Sequence, residues 1–200
     1  MTTLEVISAT RYSAEEFWSK SALGLSLRRL SVESRITARI AMDNKRGLPQ
    51  VYNENVAATA NDGVVVMLHD DVWIDDVFFY QRVIEGLRTY DVIGVAGNRH
   101  RVPQQPAWAF VNSQMTWDDR VNLTGAIAHG RYPFGAINHF GETPAECELL
   151  DGVFLAARKS VLTDKQVFFP ICLTHQSGGA FGGEQWQKGY RAYLDKWESG

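Results

Sequence analysis

The chain has little cysteine, no long apolar run and no excess of positive charge, and each absence removes a class of protein. Cys147 and Cys172 are the only two cysteines among 200 residues. They are isolated and lack metal-site spacing, so a disulfide scaffold is not expected and a reduced, cytoplasmic setting is the simplest reading. No apolar span reaches the roughly 20 residues that cross a bilayer, so no transmembrane segment is expected. The N-terminus also lacks the basic-then-apolar layout of a signal peptide. A formal net charge of -3, with no basic run, argues against nucleic acid or a membrane surface as partner. No Gly-Lys-Ser/Thr occurs, which excludes a Walker-type NTPase. Repeats and low-complexity tracts are missing too, and nothing signals an oligomeric state. What remains is the composition of a globular protein, 45% hydrophobic and 22% charged, long enough for one domain with a sizeable core.

The chain is organised around Val64-Val65-Val66-Met67-Leu68-His69-Asp70-Asp71-Val72-Trp73. Five consecutive apolar residues, three of them β-branched, predict a strand buried on both faces, as in a parallel sheet. The run stops at His69, Asp70 and Asp71, where open α/β sheets place their ligands, at the carboxyl end of a central strand. Carboxylates there suit a hard divalent cation, and a cation suits a phosphate. A polar turn capping the strand is the competing reading. A phosphohydrolase using the His69-Asp70 pair is disfavoured, because such pairs sit on helices among other histidines.

The flanking segments alternate strand and helix. Leu4 to Ala9 reads as a strand, and Ser13-Ala14-Glu15-Glu16 as a helix start with a capping box. Phe17, Leu23, Leu27 and Leu30 continue that helix, with Gly24 weakening a single unbroken one. Arg35 to Met42 predicts a second strand, closed by Asp43-Asn44, which completes a βαβ unit. Gln50 to Ala57, entered through Pro49, and Phe78 to Leu87 predict helices. Asp91 to Gly97 predicts one buried strand whose glycines reflect close packing more readily than a nucleotide fingerprint. From Asn98 to Glu146 the aromatics show no clean period, which suggests irregular hairpins. Those aromatics either stack on a sugar or form a satellite core. Leu149 to Arg158 returns to strand character with a polar break at Asp151-Gly152. Ile171 to His175 predicts a last strand, 176–183 a glycine-rich loop that could meet phosphate or act as a lid, and Glu184 to Trp197 an amphipathic helix.

In this order the pieces resemble a nucleotide-sugar glycosyltransferase of the family 2-like group. The resemblance rests on Thr10-Arg11, Asp43-Asn44 with Gly47-Leu48-Pro49 and Tyr52-Asn53, and Leu68-His69-Asp70-Asp71-Val72. Leu150-Asp151-Gly152 with Ala156-Ala157-Arg158, and Thr174-His175-Gln176-Ser177-Gly178-Gly179 with the terminal aromatic helix, complete it. It implies a GT-A fold: an α/β, Rossmann-like, mostly parallel central sheet flanked by helices, in a single domain. Residues 1–97 would form the nucleotide-binding half, and 98–200 the acceptor half with the C-terminal helix.

The resemblance also implies roles. The family's Asp-x-Asp motif falls on His69-Asp70-Asp71, with His in place of the first Asp. Asp71 would then be the main ligand of Mg²⁺ or Mn²⁺, with His69 and His175 as further ligands, although His175 on its own reads more readily as a surface or packing histidine and only its place before the glycine loop favours a ligand. Thr10 and Arg11 fall at the first nucleotide-contacting turn, Asp43 at the base contact and Asp70 beside the donor. The implied reaction moves a sugar from a UDP- or GDP-sugar to a glycan or other hydroxyl acceptor, with inversion. In relatives an acidic segment after Ala157-Arg158 carries the general base. Here Lys165 to Phe169 runs straight into Pro170, which leaves Asp151 as base or as a turn residue. A catalytically impaired domain that binds nucleotide or glycan is the alternative.

Overall fold

The structure is a computed structural model. It describes residues 2–60 and 62–162, the backbone of Gln166–Phe168 and Leu173–His175, and Gln187 and Arg191. The chain opens with β1 (Leu4–Ala9), α1 (Ala14–Lys20), α2 (Ala22–Arg29) and β2 (Ile36–Ala41). Ser13 begins α1 as a complete capping box: its Oγ accepts the Glu16 N–H at 3.3 Å, and the Glu16 carboxylate accepts the Ser13 N–H at 3.4 Å. The single helix expected across this stretch is two. Ser21 ends α1 and caps α2, with its Oγ donating to Phe17 O and accepting from Gly24 N–H, each at 2.9 Å. Gly24 is required there, because a Cβ would lie 2.1 Å from the Phe17 carbonyl oxygen.

α3 (Leu48–Ala58) carries Pro49 in its first turn, as expected, and leads into β3 (Val64–Leu68). Val64, Val65, Val66 and Leu68 are all buried, so the organising strand is covered on both faces. A short β4 (Val72–Ile74), absent from the sequence reading, follows the polar triplet, and α4 (Phe79–Thr89) buries Phe79, Val83 and Leu87. The remaining strands are β5 (Val92–Gly94), β6 (Ala96–Asn98), β7 (Leu123–His129), β8 (Ala136–Gly141), β9 (Glu146–Cys147), β10 (Leu149–Leu150), β11 (Phe154–Arg158), β12 (Gln166–Phe168) and β13 (Leu173–His175).

Two sheets result. The larger has the order β2-β1-β3-β11-β5-β12-β9, and the smaller β10-β6-β7-β13-β4, with β8 paired to β7. β1 is parallel to β2 and β3, and β12 is parallel to β5, but β11 lies antiparallel between β3 and β5. The mostly parallel sheet is therefore a mixed one. β11 follows β10 through residues 151–153 and continues along the β5–β6 segment in the same antiparallel sense as β10.

Nor is Asp91 to Gly97 one strand. It leaves the larger sheet after Gly94 and joins the smaller at Ala96, and Val95 O accepts the Ala126 N–H at 3.0 Å at the junction. Gly125 faces that junction at φ +97, where a Cβ would sit 2.3 Å from Val95 O. The break expected at Asp151-Gly152 is the β10–β11 turn.

The main core joins one face of the larger sheet (Leu4, Val6, Val66, Leu68, Phe154) to Phe17, Leu23 and Leu27 of the first two helices and to Phe79, Val83 and Leu87 of α4. α3 covers β1 from the other face, where Ile7, Val65 and Val51 are buried. Trp108 and Phe110 belong to this core, and Phe140 packs edge-on to Trp108 at 4.8 Å. Those rings therefore extend the main core where a satellite core was expected; Tyr132 and Phe134 are exposed. Among the described residues no helix is long and apolar enough to cross a membrane. The glycine loop at 176–183, the helix read over Glu184 to Trp197 apart from Gln187 and Arg191, and the Lys165 and Phe169–Pro170 positions lie outside the described residues.

Candidate functional site

Three parallel strands bring the candidate residues to one edge. β1, β2 and β3 point the same way, so their carboxyl ends carry Thr10, Asp43 and His69-Asp70-Asp71 side by side. The ends are laced together: Thr10 N–H donates to Ala41 O at 3.0 Å, Asn44 N–H to Thr10 O at 2.8 Å, and Asp43 N–H to Tyr12 O at 3.0 Å. Asp43 sits in the left-handed region at φ 48, which turns the chain sharply at the end of β2. Its side chain is exposed.

The closest contact in the site joins Thr10 to Asp70. Thr10 Oγ1 donates to Asp70 Oδ2 at 2.6 Å and accepts the Tyr12 N–H at 3.1 Å. A charge-assisted hydrogen bond of this kind holds the carboxylate in one orientation. Asp70 O also accepts the Leu23 N–H at 3.1 Å, tying the turn to α2. Tyr52 of α3 reaches the same place, its hydroxyl 3.5 Å from Leu68 O. Burial pushes the Tyr52 phenol well above its ordinary value, and the neighbouring Asp70 carboxylate adds to the effect.

Asp151 lies across the turn from His69. β11 pairs with β3 through Phe154 and Leu68, and the next bond runs from His69 N–H to Val153 O at 3.4 Å. Asp151 Oδ1 accepts the Val153 N–H at 2.8 Å, a turn-closing bond. Its backbone N–H donates to Ala96 O at 2.9 Å, so the turn is fixed to the smaller sheet. Asp151 is thus a turn residue with one carboxylate oxygen engaged.

His175 comes from furthest along the chain. In β13 it pairs with Val72, the residue after Asp71, and on its other side with His129 at the end of β7. The sequence reading had no reason to single out His129; only the parallel pairing of β7 with β13 draws it in. The His175 side chain lies outside the described residues. Among the described residues no three His, Cys, Asp or Glu side chains are grouped to hold a metal. The donor set here is an imidazole, His69, and a carboxylate, Asp71, both half-buried. Two such donors would leave most of a cation's shell to oxygens from elsewhere, such as those of a bound phosphate. Arg11 is exposed beyond Thr10 and makes none of these contacts.

No family model matches the chain, and no curated protein matches it. Among solved structures it is similar to the 4-diphosphocytidyl-2C-methyl-D-erythritol synthase of Anaerococcus prevotii DSM 20548. That likeness has a TM-score of 0.43 and 10% identity, and covers 98% of this chain and 99% of the other. It is also similar to the protein A197 from STIV, with a TM-score of 0.42 and 13% identity over 82% of this chain and 69% of that one.

Proposed function

We propose that the chain is a metal-dependent glycosyltransferase that moves a sugar from a nucleotide-diphosphate donor to a hydroxyl acceptor. The observation that carries the reading is the shared carboxyl edge of β2, β1 and β3, where Asp43, the Thr10–Asp70 pair and Asp71 sit together. A nucleoside suits the Asp43 side, and the diphosphate suits the polar turn after β3. Thr10 locks Asp70, which holds the turn so that His69 and Asp71 are presented as ligands for Mn²⁺ or Mg²⁺. When bound, the cation would neutralise the leaving diphosphate as a Lewis acid. Asp151 uses Oδ1 for the Val153 N–H, and Oδ2 is the oxygen available to take the acceptor's proton.

The test is calorimetry with UDP and GDP, with and without Mn²⁺. Asp71→Asn should lose metal-dependent binding by at least an order of magnitude, the scale of a lost charge-assisted interaction, with its melting temperature held. Equal affinity in the variant, or binding indifferent to EDTA, overturns the proposal. The engagement of Asp151 in its turn favours a second reading, a catalytically impaired domain that binds nucleotide without transferring sugar. Nucleotide-sugar binding without acceptor-dependent release of nucleotide, in parent and Asp151→Asn alike, would select it. Turnover in the parent that falls about a hundred-fold or more in Asp151→Asn would instead support a general base there.

A further inference from the structure

A cavity of about 400 Å³ opens beyond the opposite end of β7 and is lined by Arg99, Arg120, Leu123, Phe140 and Glu142 among others. It is separate from the carboxyl-edge site. His129 at one end of β7 borders that site through β13, whereas Leu123 at the other end lines the cavity. Six strand steps of about 3.3 Å put roughly 20 Å between them.

The segments that carry the two arginines are joined by a polar clamp around the buried Asn98. Asn98, fully buried at the end of β6, donates from Nδ2 to Trp108 O at 2.9 Å and to Asp118 Oδ2 at 2.7 Å. Asp118 Oδ1 accepts from Asn122 Nδ2 at 3.1 Å and from the Asp119 N–H at 2.7 Å. Arg99 N–H closes the ring onto Asn122 O at 2.8 Å. Arg99 follows Asn98 directly, and Arg120 lies between Asp118 and Asn122, so the clamp holds together the two segments whose arginines line the cavity. Both oxygens of Asp118 are engaged within the clamp. Arg120 Nη2 is steadied by His139 O at 3.2 Å, and neither arginine forms an ion pair among the described residues. Among the described residues Glu142 is the one carboxylate in the lining against two arginines, so that lining carries a formal net positive charge. Its wall is apolar: Leu123 is buried, and Phe140 is held edge-on by Trp108 and stacked with Trp117 at 6.3 Å.

We propose that this cavity is a binding site for an organic phosphate, the phosphate held between Arg99 and Arg120 and its apolar body laid on Leu123 and Phe140. Two guanidinium groups match a dianion, and each can give it a bidentate pair of hydrogen bonds. The site is independent of the nucleotide edge and of any metal there.

Phenyl phosphate is the probe, titrated with the full chain in EDTA and followed by heteronuclear NMR and calorimetry, with inorganic phosphate and benzoate as comparison arms. Shifts should centre on Arg99, Arg120, Leu123 and Phe140. Arg99→Met and Arg120→Met should each weaken binding about tenfold, the loss of one charge-assisted contact. Glu142→Gln should tighten it by removing a like charge. Asp71→Asn should leave it unchanged, which separates this site from the one at the carboxyl edge. Inorganic phosphate binding as well as phenyl phosphate would overturn the apolar subsite, and benzoate binding better would overturn the choice of phosphate. If either arginine variant has lost its fold, Glu142→Gln still decides: unchanged or weaker binding there overturns the proposal.

Discussion

Thr10 and Asp70 form the smallest unit on which the candidate site depends. Thr10 is 2% exposed, so its hydroxyl serves Asp70 and the Tyr12 N–H and not the solvent. Thr10→Val keeps the shape and removes the donor. It should cost about 1.5–3 kcal/mol, the worth of a hydrogen bond to a charged group, measured by urea unfolding. A change within error would show that Asp70 is solvated without Thr10. Tyr52 gives a pH signature at the same spot. Its phenol holds the proton more tightly folded than unfolded, burial being the main cause and Asp70 the second. The stability that follows is fully present below about pH 10, where the unfolded phenol is still neutral, and drains away as pH rises beyond it. Tyr52→Phe should therefore be less sensitive to alkali than the parent. Between about pH 9 and about pH 11 the melting temperature should fall further in the parent than in the variant; an equal fall would refute the assignment.

At the scale of an element, the α1–α2 junction reverses an ordinary rule. Replacing glycine by alanine inside a helix usually stabilises by ~0.5–1 kcal/mol. Gly24 is the exception, because a Cβ there would press on the Phe17 carbonyl at 2.1 Å. That carbonyl already accepts from Ser21 Oγ and from the Ser21 N–H. Gly24→Ala should destabilise by about 1–3 kcal/mol, the range for overpacking a tight site. A raised urea midpoint would mean the two helices can slide apart. The junction matters for function because Leu23, beside Gly24, donates its N–H to Asp70 O.

Across the whole molecule, the two sheets are joined where the chain leaves β5 for β6, and the joint relies on Gly125. Its φ of +97 and the 2.3 Å approach to Val95 O exclude a side chain. Gly125→Ala should cost on the order of 2–4 kcal/mol from combined strain and overpacking. A near-native urea midpoint would show that the sheets do not depend on this contact. The same joint fixes the Asp151 turn through Ala96 O, so loosening it should also move the turn opposite His69. Amide exchange at Val153, whose N–H bonds Asp151, is the readout.

The sequence by itself determined the local parts: the strands β1, β2 and β3, the helices α3 and α4, the capping box at Ser13 and the polar triplet that ends β3, but neither the division of the first helix at Ser21 nor β4. Burial periodicity and capping act between residues a few positions apart, so they are written in adjacent letters. Only the tertiary structure decided that β11 runs antiparallel between β3 and β5, that Asp91 to Gly97 divides between two sheets, and that Thr10 meets Asp70 across 60 positions. It likewise decided that Asn98 meets Asp118, which brings the segments of Arg99 and Arg120 to one cavity. Strand partners are chosen by which buried faces fit together once the chain has folded back, and no window of neighbouring residues carries that choice.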